Sequence, residues 1–139
     1  MNPTIAAPAI LECANTAMKP ILLIVDDDTA VREGLKLALE IKGYNVASAA
    51  DAEAAIDWLT ASTPALVILD CQLPGMSGAE AAGYIRGRFD RLPILAISAN
   101  REREAEMVSQ GVTAFRLKPL DIRAFVAEID SLTGKKPPT

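Results

Sequence analysis

Three short apolar runs in this chain each end in a charged group. Ile21–Val25 runs into Asp26-Asp27-Asp28, residues 65–69 run into Asp70, and Ala114–Leu117 runs into Lys118. Continuously apolar, β-branched-rich runs of this length are what strands look like when helices cover both faces of a parallel sheet. Such sheets present their ligand sites beyond the carboxyl ends of the strands, so acids and a lysine are expected to meet at one edge. A carboxylate resists burial without a partner, and several acids at the ends of buried strands point to a bound cation, an ionic partner or covalent chemistry.

Composition narrows the function classes. The 139 residues carry 18 acidic and 14 basic side chains, a formal charge of -4, and no histidine. A nucleic-acid surface would need clustered Lys and Arg, so direct binding to DNA or RNA is not expected. Without histidine the chain cannot be a histidine kinase or phosphotransfer protein, a Ser-His-Asp hydrolase or a His-ligated zinc protein. Half of the residues are hydrophobic, which suits one compact domain that buries roughly two-thirds of its unfolded surface. Cys13 and Cys71 lack the CxxC spacing and are read as reduced thiols of a cytoplasmic protein, with no role given to either.

Residues 1–17 contain Pro3 and Pro8, many alanines and no basic residue, and so lack the charged start of a secretory signal. Glu12 before Cys13 also spoils a lipoprotein cleavage site. Residues 1–18 are therefore expected to be a disordered extension, residues 19–133 the functional domain, with a natural start near Met18, and residues 134–139 a polar tail. No apolar stretch approaches the roughly 20 residues needed to span a bilayer. The expectation is a soluble, cytoplasmic protein with no membrane partner.

Between the runs the periodicity turns helical. Asp28 or Thr29 can cap a helix with Val31, Leu35, Ala38 and Leu39 inward, ending near Gly43. A strand at Asn45–Ala49 leads to a second helix capped by Asp51, with Ala55, Ile56 and Leu59 inward and Trp58 as a packing residue. Pro74, Gly75 and Gly78 mark a loop before a helix at 79–88, and Pro93 precedes a strand at 94–97. A charged helix is predicted at 101–110, stopping at Gly111, and a last helix capped by Asp121 repeats Ile122, Phe125, Val126, Ile129 and Leu132 at core-packing spacing. Five strands alternating with five helices imply a parallel sheet built from crossovers. Periodicity leaves the strand order open.

These residues closely resemble the receiver domain of bacterial two-component response regulators, of the CheY-like superfamily. The match covers residues 19–132 and rests on four elements in order: Ile24-Val25-Asp26-Asp27, the block from Leu69-Asp70 to Ser77-Gly78, Ser98-Ala99, and Lys118-Pro119. The resemblance implies a flavodoxin-like α/β fold, a five-stranded parallel sheet of order 2-1-3-4-5 doubly wound with five helices. It also implies that Asp70 accepts a phosphoryl group from a sensor histidine kinase or histidine phosphotransfer protein, by covalent carboxylate chemistry and without the chain being an enzyme in its own right. Clustered carboxylates repel by several kcal/mol per close pair at an effective dielectric near 20, so a cation is needed, and Mg2+ suits the oxygen ligands. By resemblance Asp27, Asp70 and the Gln72 carbonyl would ligate it, with Asp26 acting through water and Asp28 outside.

In the same way Lys118 would place its ammonium on the phosphoryl oxygens, although a lysine at a strand end is on spacing alone as often just solvated. The bond to Pro119 would be cis. Ser98 would turn toward the phosphoryl group as a switch, with Phe115 as an aromatic reporter; by itself Phe115 reads equally as a half-buried strand residue. Phosphorylation would bias a two-state surface toward an output protein, in a monomer or weak dimer. Gln72 and Asn100 stand where the family tunes the phosphoryl lifetime. Against the family pattern, Ser98 replaces threonine, Phe115 tyrosine and Leu73 methionine.

Three alternatives remain at this stage. The chain can be a receiver excised from a larger regulator or hybrid kinase instead of a stand-alone one. It can be a haloacid-dehalogenase-like phosphatase attacking through Asp26, although Ala30 stands where that family has Thr or Val and no acidic pair follows Lys118. It can also be an interaction domain with a dead site.

Overall fold

The computed structural model describes residues 20–134; Cys13, Met18, the extension expected at the start and all of the expected tail but Gly134 lie outside them. Among the described residues, five strands and five α-helices alternate. The first half runs β1 (Ile21–Val25), α1 (Thr29–Ile41), β2 (Asn45–Ala49), α2 (Ala52–Ala61) and β3 (Leu66–Asp70). It continues with α3 (Gly78–Arg88), β4 (Ile94–Ser98), α4 (Glu104–Ser109), β5 (Ala114–Leu117) and α5 (Ile122–Thr133). The strands pair in parallel in the order β2-β1-β3-β4-β5. This is the 2-1-3-4-5 order of a flavodoxin-like α/β fold.

The unbroken apolar runs are explained by two cores, one on each face. Leu22 and Ile24 of β1 face a core with Leu39 of α1 and Phe125 and Ile129 of α5. Leu23 and Val25 face the opposite core, with Leu59 of α2, Ile85 of α3 and Met107 of α4. Every residue of β3 and β4 is buried. Burying a Leu or Ile side chain fully is worth about 1.5–3 kcal/mol, and a strand buried on both faces has no position to spare for a polar residue until it ends. β5 is one of the two edges, and there Arg116 is exposed and pairs with Glu128 of α5.

The caps follow sequence chemistry. Asp28 accepts from the Ala30 and Val31 amides at the head of α1, and Asp51 from Ala54 at the head of α2. Ser77 and Glu80 cap α3 reciprocally, and Asp121 caps α5. Each such cap contributes typically ~1 kcal/mol. Gly43 and Gly111, at φ 99° and 92°, end α1 and α4 in the left-handed region that glycine adopts freely.

Three local expectations need correction. α3 begins at Gly78, one residue early, because Ser77 is its cap. The charged segment at 101–110 is not one helix: Arg101–Arg103 is a 3-10 turn, tightened by the Asn100 side chain accepting from the Glu102 amide, and only then does α4 begin. Ile122, placed inward by periodicity, is 42% exposed, because it lines the cleft between α5 and α1 while Phe125, Val126 and Ile129 take the core.

Tyr44 closes the lower end of the α1–α5 layer. Its ring is buried, and its hydroxyl donates to Asp130 with Thr133 close by. Burial, aided by the Asp130 carboxylate, pushes the phenol up to about 12 from 10.0. A folded-state pKa above the unfolded one means the phenol's stabilisation is complete below pH 10 and lost as pH rises to about 12. Tyr44→Phe should cost about 0.5–1.5 kcal/mol in urea unfolding at neutral pH. The gap from wild type should close across that alkaline window.

Candidate functional site

The strand order makes neighbours of β1 and β3, and their register aligns Val25 with Leu69, so that Asp26 stands beside Asp70. Both carboxylates are buried, at 0% and 5% exposure. The sheet ladder continues through them: the Asp26 amide bonds the Ala49 carbonyl, the Cys71 amide bonds Ile97, and the Lys118 amide bonds Ser98. The acids and the lysine are thus held by backbone pairing and not by loop packing.

Lys118 reaches across from β5. Its Nζ donates to Asp70 Oδ2 at 2.9 Å and to Asp26 Oδ2 at 3.0 Å. The other oxygens are bound by amides, Asp70 Oδ1 by Gln72 at 3.0 Å and Asp26 Oδ1 by Asp28 at 2.9 Å. Asp27, exposed, completes a set of three acids whose ligand atoms lie within 4.8 Å of one another. Three hard carboxylate oxygens at that spacing, two of them buried, form a donor set that fits Mg2+ and not a soft metal.

The charges are not balanced. Burial raises the Asp70 pKa, the Gln72 amide and Lys118 oppose the rise, and the like charge of Asp26 adds to it. Burial also acts to lower the pKa of Lys118, but the hydrogen bonds and charges of Asp70 and Asp26 outweigh it and hold the ammonium above its ordinary value. Lys118 thus offsets one of the two buried negative charges, which leaves one on the pair and another on exposed Asp27.

Of the other predicted residues, Ser98 is fully buried at the end of β4, and its hydroxyl donates to the Asn100 carbonyl and accepts from the Asn100 amide. It is thus turned onto its own loop. Phe115 is 6% exposed and sits in the core on the α4 side. Gln72 is exposed beside Asp70, and the Lys118–Pro119 bond is cis. Cys71 is buried, and burial pushes its thiol up to about 11, which makes it unreactive near neutral pH.

Two supports escaped the sequence reading. Arg32 of α1 donates to the Asp26 carbonyl at 2.7 Å, and nothing in its helical position announced this. Gly78 packs on the loop after β3, where a Cβ would lie 2.4 Å from the Asp70 carbonyl oxygen and 2.6 Å from the Cys71 Cα. A glycine in Gly-Met-Ser-Gly was a visible signal of a turn, but not of this close approach.

A family model described as the response regulator receiver domain matches residues 22–130. The chain belongs to that family. Response regulator MprA of Mycobacterium tuberculosis is 34% identical to this receiver over 120 residues, covering 84% of this chain and 52% of MprA. FleR of Pseudomonas aeruginosa is 36% identical over 107 residues, covering 76% of this chain and 23% of FleR. The chain therefore spans about half the length of MprA, and less of FleR. Among solved structures, a receiver domain protein (CheY-like) from Methanospirillum hungatei superposes with a TM-score of 0.80 at 26% identity, covering 84% of this chain and 95% of that one. TrrA from Thermotoga maritima, solved in complex with Mg2+-BeF, gives a TM-score of 0.77 at 30% identity, covering 83% and 99%. Among the described residues, no helix of this receiver is long and apolar enough to cross a membrane.

Three outcomes follow from the site and its surroundings. Since the folded state raises the Asp70 pKa, ionised Asp70 opposes folding at neutral pH, and the opposition fades as pH falls into the carboxylate range. Asp70→Asn should therefore raise the Tm in metal-free buffer at pH 7, with a smaller gain at acidic pH, read by calorimetry. Gly78→Ala should cost about 1–3 kcal/mol by overpacking. Gly87→Ala, where a Cβ meets nothing within 4 Å, should instead add about 0.5–1 kcal/mol.

Proposed function

We propose that this receiver accepts a phosphoryl group on Asp70 and uses it to switch a protein-binding surface. The observation that carries the reading is the Asp70 carboxylate itself, ending a buried strand between the Gln72 amide and the Lys118 ammonium, with Asp26 and Asp27 alongside. An Asp70 oxygen attacks the phosphorus of a phosphohistidine on a sensor histidine kinase or phosphotransfer protein; the new O–P bond forms as the N–P bond breaks, and the donor imidazole leaves with the electron pair.

The residues divide the work by their chemistry. Asp27, Asp70 and the Gln72 carbonyl would hold Mg2+, with Asp26 contributing through water; bound there, the ion neutralises the carboxylates and the incoming phosphoryl oxygens. Lys118 is already aimed at the Asp70 oxygen and would follow the phosphoryl group as a point charge. Ser98 would leave Asn100 for a phosphoryl oxygen, drawing the β4–α4 loop inward, and Phe115 would respond across β5. Only a state with a different contact to the phosphoryl group can shift the surface, and the Ser98 hydroxyl supplies such a contact.

The receiver occupies residues 19–133. MprA and FleR extend beyond the stretch they share with this chain, so the output is proposed at the level of class: a protein surface, in the same polypeptide or another. Both buried carboxylates have their oxygens hydrogen-bonded in the same way; what favours Asp70 over the phosphatase reading through Asp26 is the receiver family match over residues 22–130.

Intact mass after incubation with acetyl phosphate should show one phosphoryl adduct that requires Mg2+, disappears in Asp70→Asn and with chelator, and survives in Asp28→Asn. An adduct that persists in Asp70→Asn and is lost in Asp26→Asn would refute the assignment. Asp26→Asn should weaken Mg2+ binding by calorimetric titration on the order of 10–100-fold, as expected for a ligand acting through water.

A further inference from the structure

The pocket beside the acid cluster extends past the groups that the phosphoryl chemistry uses. It encloses about 420 Å³, and Asp27 and Gln72 line it together with Leu73 and Pro74 of the loop after β3 and with Arg103 and Glu106 of the segment after β4. None of these last four is a hydrogen-bond partner of the Asp26, Asp70 or Lys118 side chains. Among the described residues that line the pocket, Arg103 is the one cation.

Arg103 stands where the 3-10 turn passes into α4, and its side chain makes no cap bond there. Its guanidinium lies 3.6 Å from the Glu106 carboxylate, with 44% and 54% of the two side chains exposed. A half-exposed pair at that separation contributes little and exchanges readily for another anion. The charge of Arg103 also reaches inward. Burial raises the pKa of the Cys71 thiol next to Asp70, and Arg103, after the Ser98 hydroxyl, is among the groups that oppose the rise. A guanidinium takes a carboxylate through two parallel N–H bonds, and Leu73 and Pro74 give the pocket a small apolar wall. Its acids, Asp27 and Glu106, repel anions, so a carboxylate finds a place here by taking over the guanidinium from Glu106.

We propose that this pocket receives the leaving group of a small acyl phosphate, and that Arg103 is the residue that selects this class of phosphodonor. The inference rests on Asp70 being the phosphoacceptor. An Asp70 oxygen attacks the phosphorus; the new O–P bond forms as the bond from phosphorus to the acyl oxygen breaks, and the electron pair leaves on a carboxylate without any proton transfer. Negative charge therefore grows on the departing acyl group as the reaction proceeds. Arg103 exchanges Glu106 for that group, while its alkyl end lies along Leu73 and Pro74. A contact that strengthens toward the transition state accelerates the step. A donor that releases a neutral nitrogen base, such as phosphoramidate or a phosphohistidine, builds no such charge and gains nothing from the guanidinium.

The test follows the rate of the Asp70 adduct by intact mass, using the full chain with Mg2+ and either acetyl phosphate or phosphoramidate. In Arg103→Gln the rate with acetyl phosphate should fall roughly 3–10-fold, the scale of one charge-assisted contact at a half-exposed site, while the rate with phosphoramidate stays unchanged. Glu106→Gln, which releases the guanidinium, should raise the acetyl phosphate rate alone. Arg101→Gln controls for charge acting at a distance. Arg101 is the cation of the neighbouring pair with Glu104 and does not line the pocket, so its loss should leave both rates as they are. Equal losses in Arg101→Gln and Arg103→Gln would reduce the effect to net charge and overturn the proposal, as would a loss in Arg103→Gln shared by both donors, or none. Those outcomes leave Asp70 as the acceptor. An adduct that survives Asp70→Asn, or no adduct from either donor, would instead sink the phosphoacceptor reading and this proposal with it.

Discussion

Two carboxylates buried side by side at the ends of neighbouring strands are an arrangement a protein interior does not tolerate unaided, and Lys118 is what allows it here. Its ammonium spans Asp26 and Asp70 from a strand two places away from β3. Strand order, the edge position of β5 and the local conformation at Lys118-Pro119 all converge on that one contact. Buried ion pairs contribute little net stability, because desolvation offsets most of the attraction. The upward shift of Asp70 says that at this carboxylate desolvation outweighs what Lys118 and the Gln72 amide return.

The rest of the molecule serves to make that edge rigid. Two apolar cores, one on each face of the sheet, leave β1, β3 and β4 no freedom to slip, since a shift of one residue would exchange the faces of every side chain. Gly78 and Arg32 then fix the backbone on either side of the acid pair. Gly78 lets α3 start directly against the Asp70 and Cys71 carbonyls, and Arg32 ties the Asp26 carbonyl to α1. Ser98 differs from these fixed groups because its hydroxyl has an alternative partner. Its bonds to Asn100 lie within one loop and can be exchanged for another acceptor without unpairing a strand.

The two helical layers are unequal. Helices α2, α3 and α4 cover one core, while only α1 and α5 cover the other. Two helices over five strands leave a cleft, lined by small residues and the exposed Ile41 and Ile122 together with Lys42, Arg123 and Asp130.

Much of this was legible in the linear sequence. Strands buried on both faces read as unbroken apolar runs, caps read as Asp or Ser before a helix, and reactive groups stood where the runs stopped, because local chemistry and strand ends are recorded residue by residue. Asp26, Asp27, Asp70 and Lys118 could be named for that reason. Their meeting could not, since it depends on β1 lying next to β3 and on a lysine 48 residues beyond Asp70 reaching back to it. The role of Gly78, the reach of Arg32 and the outward turn of Ile122 were likewise invisible. Periodicity specifies which face of a helix is apolar, but only the packed neighbours decide how far that face is covered. The sequence by itself determined the elements and the chemical inventory of the site; the tertiary structure decided which groups share one charge field, because electrostatic coupling depends on distance through space and not on separation along the chain.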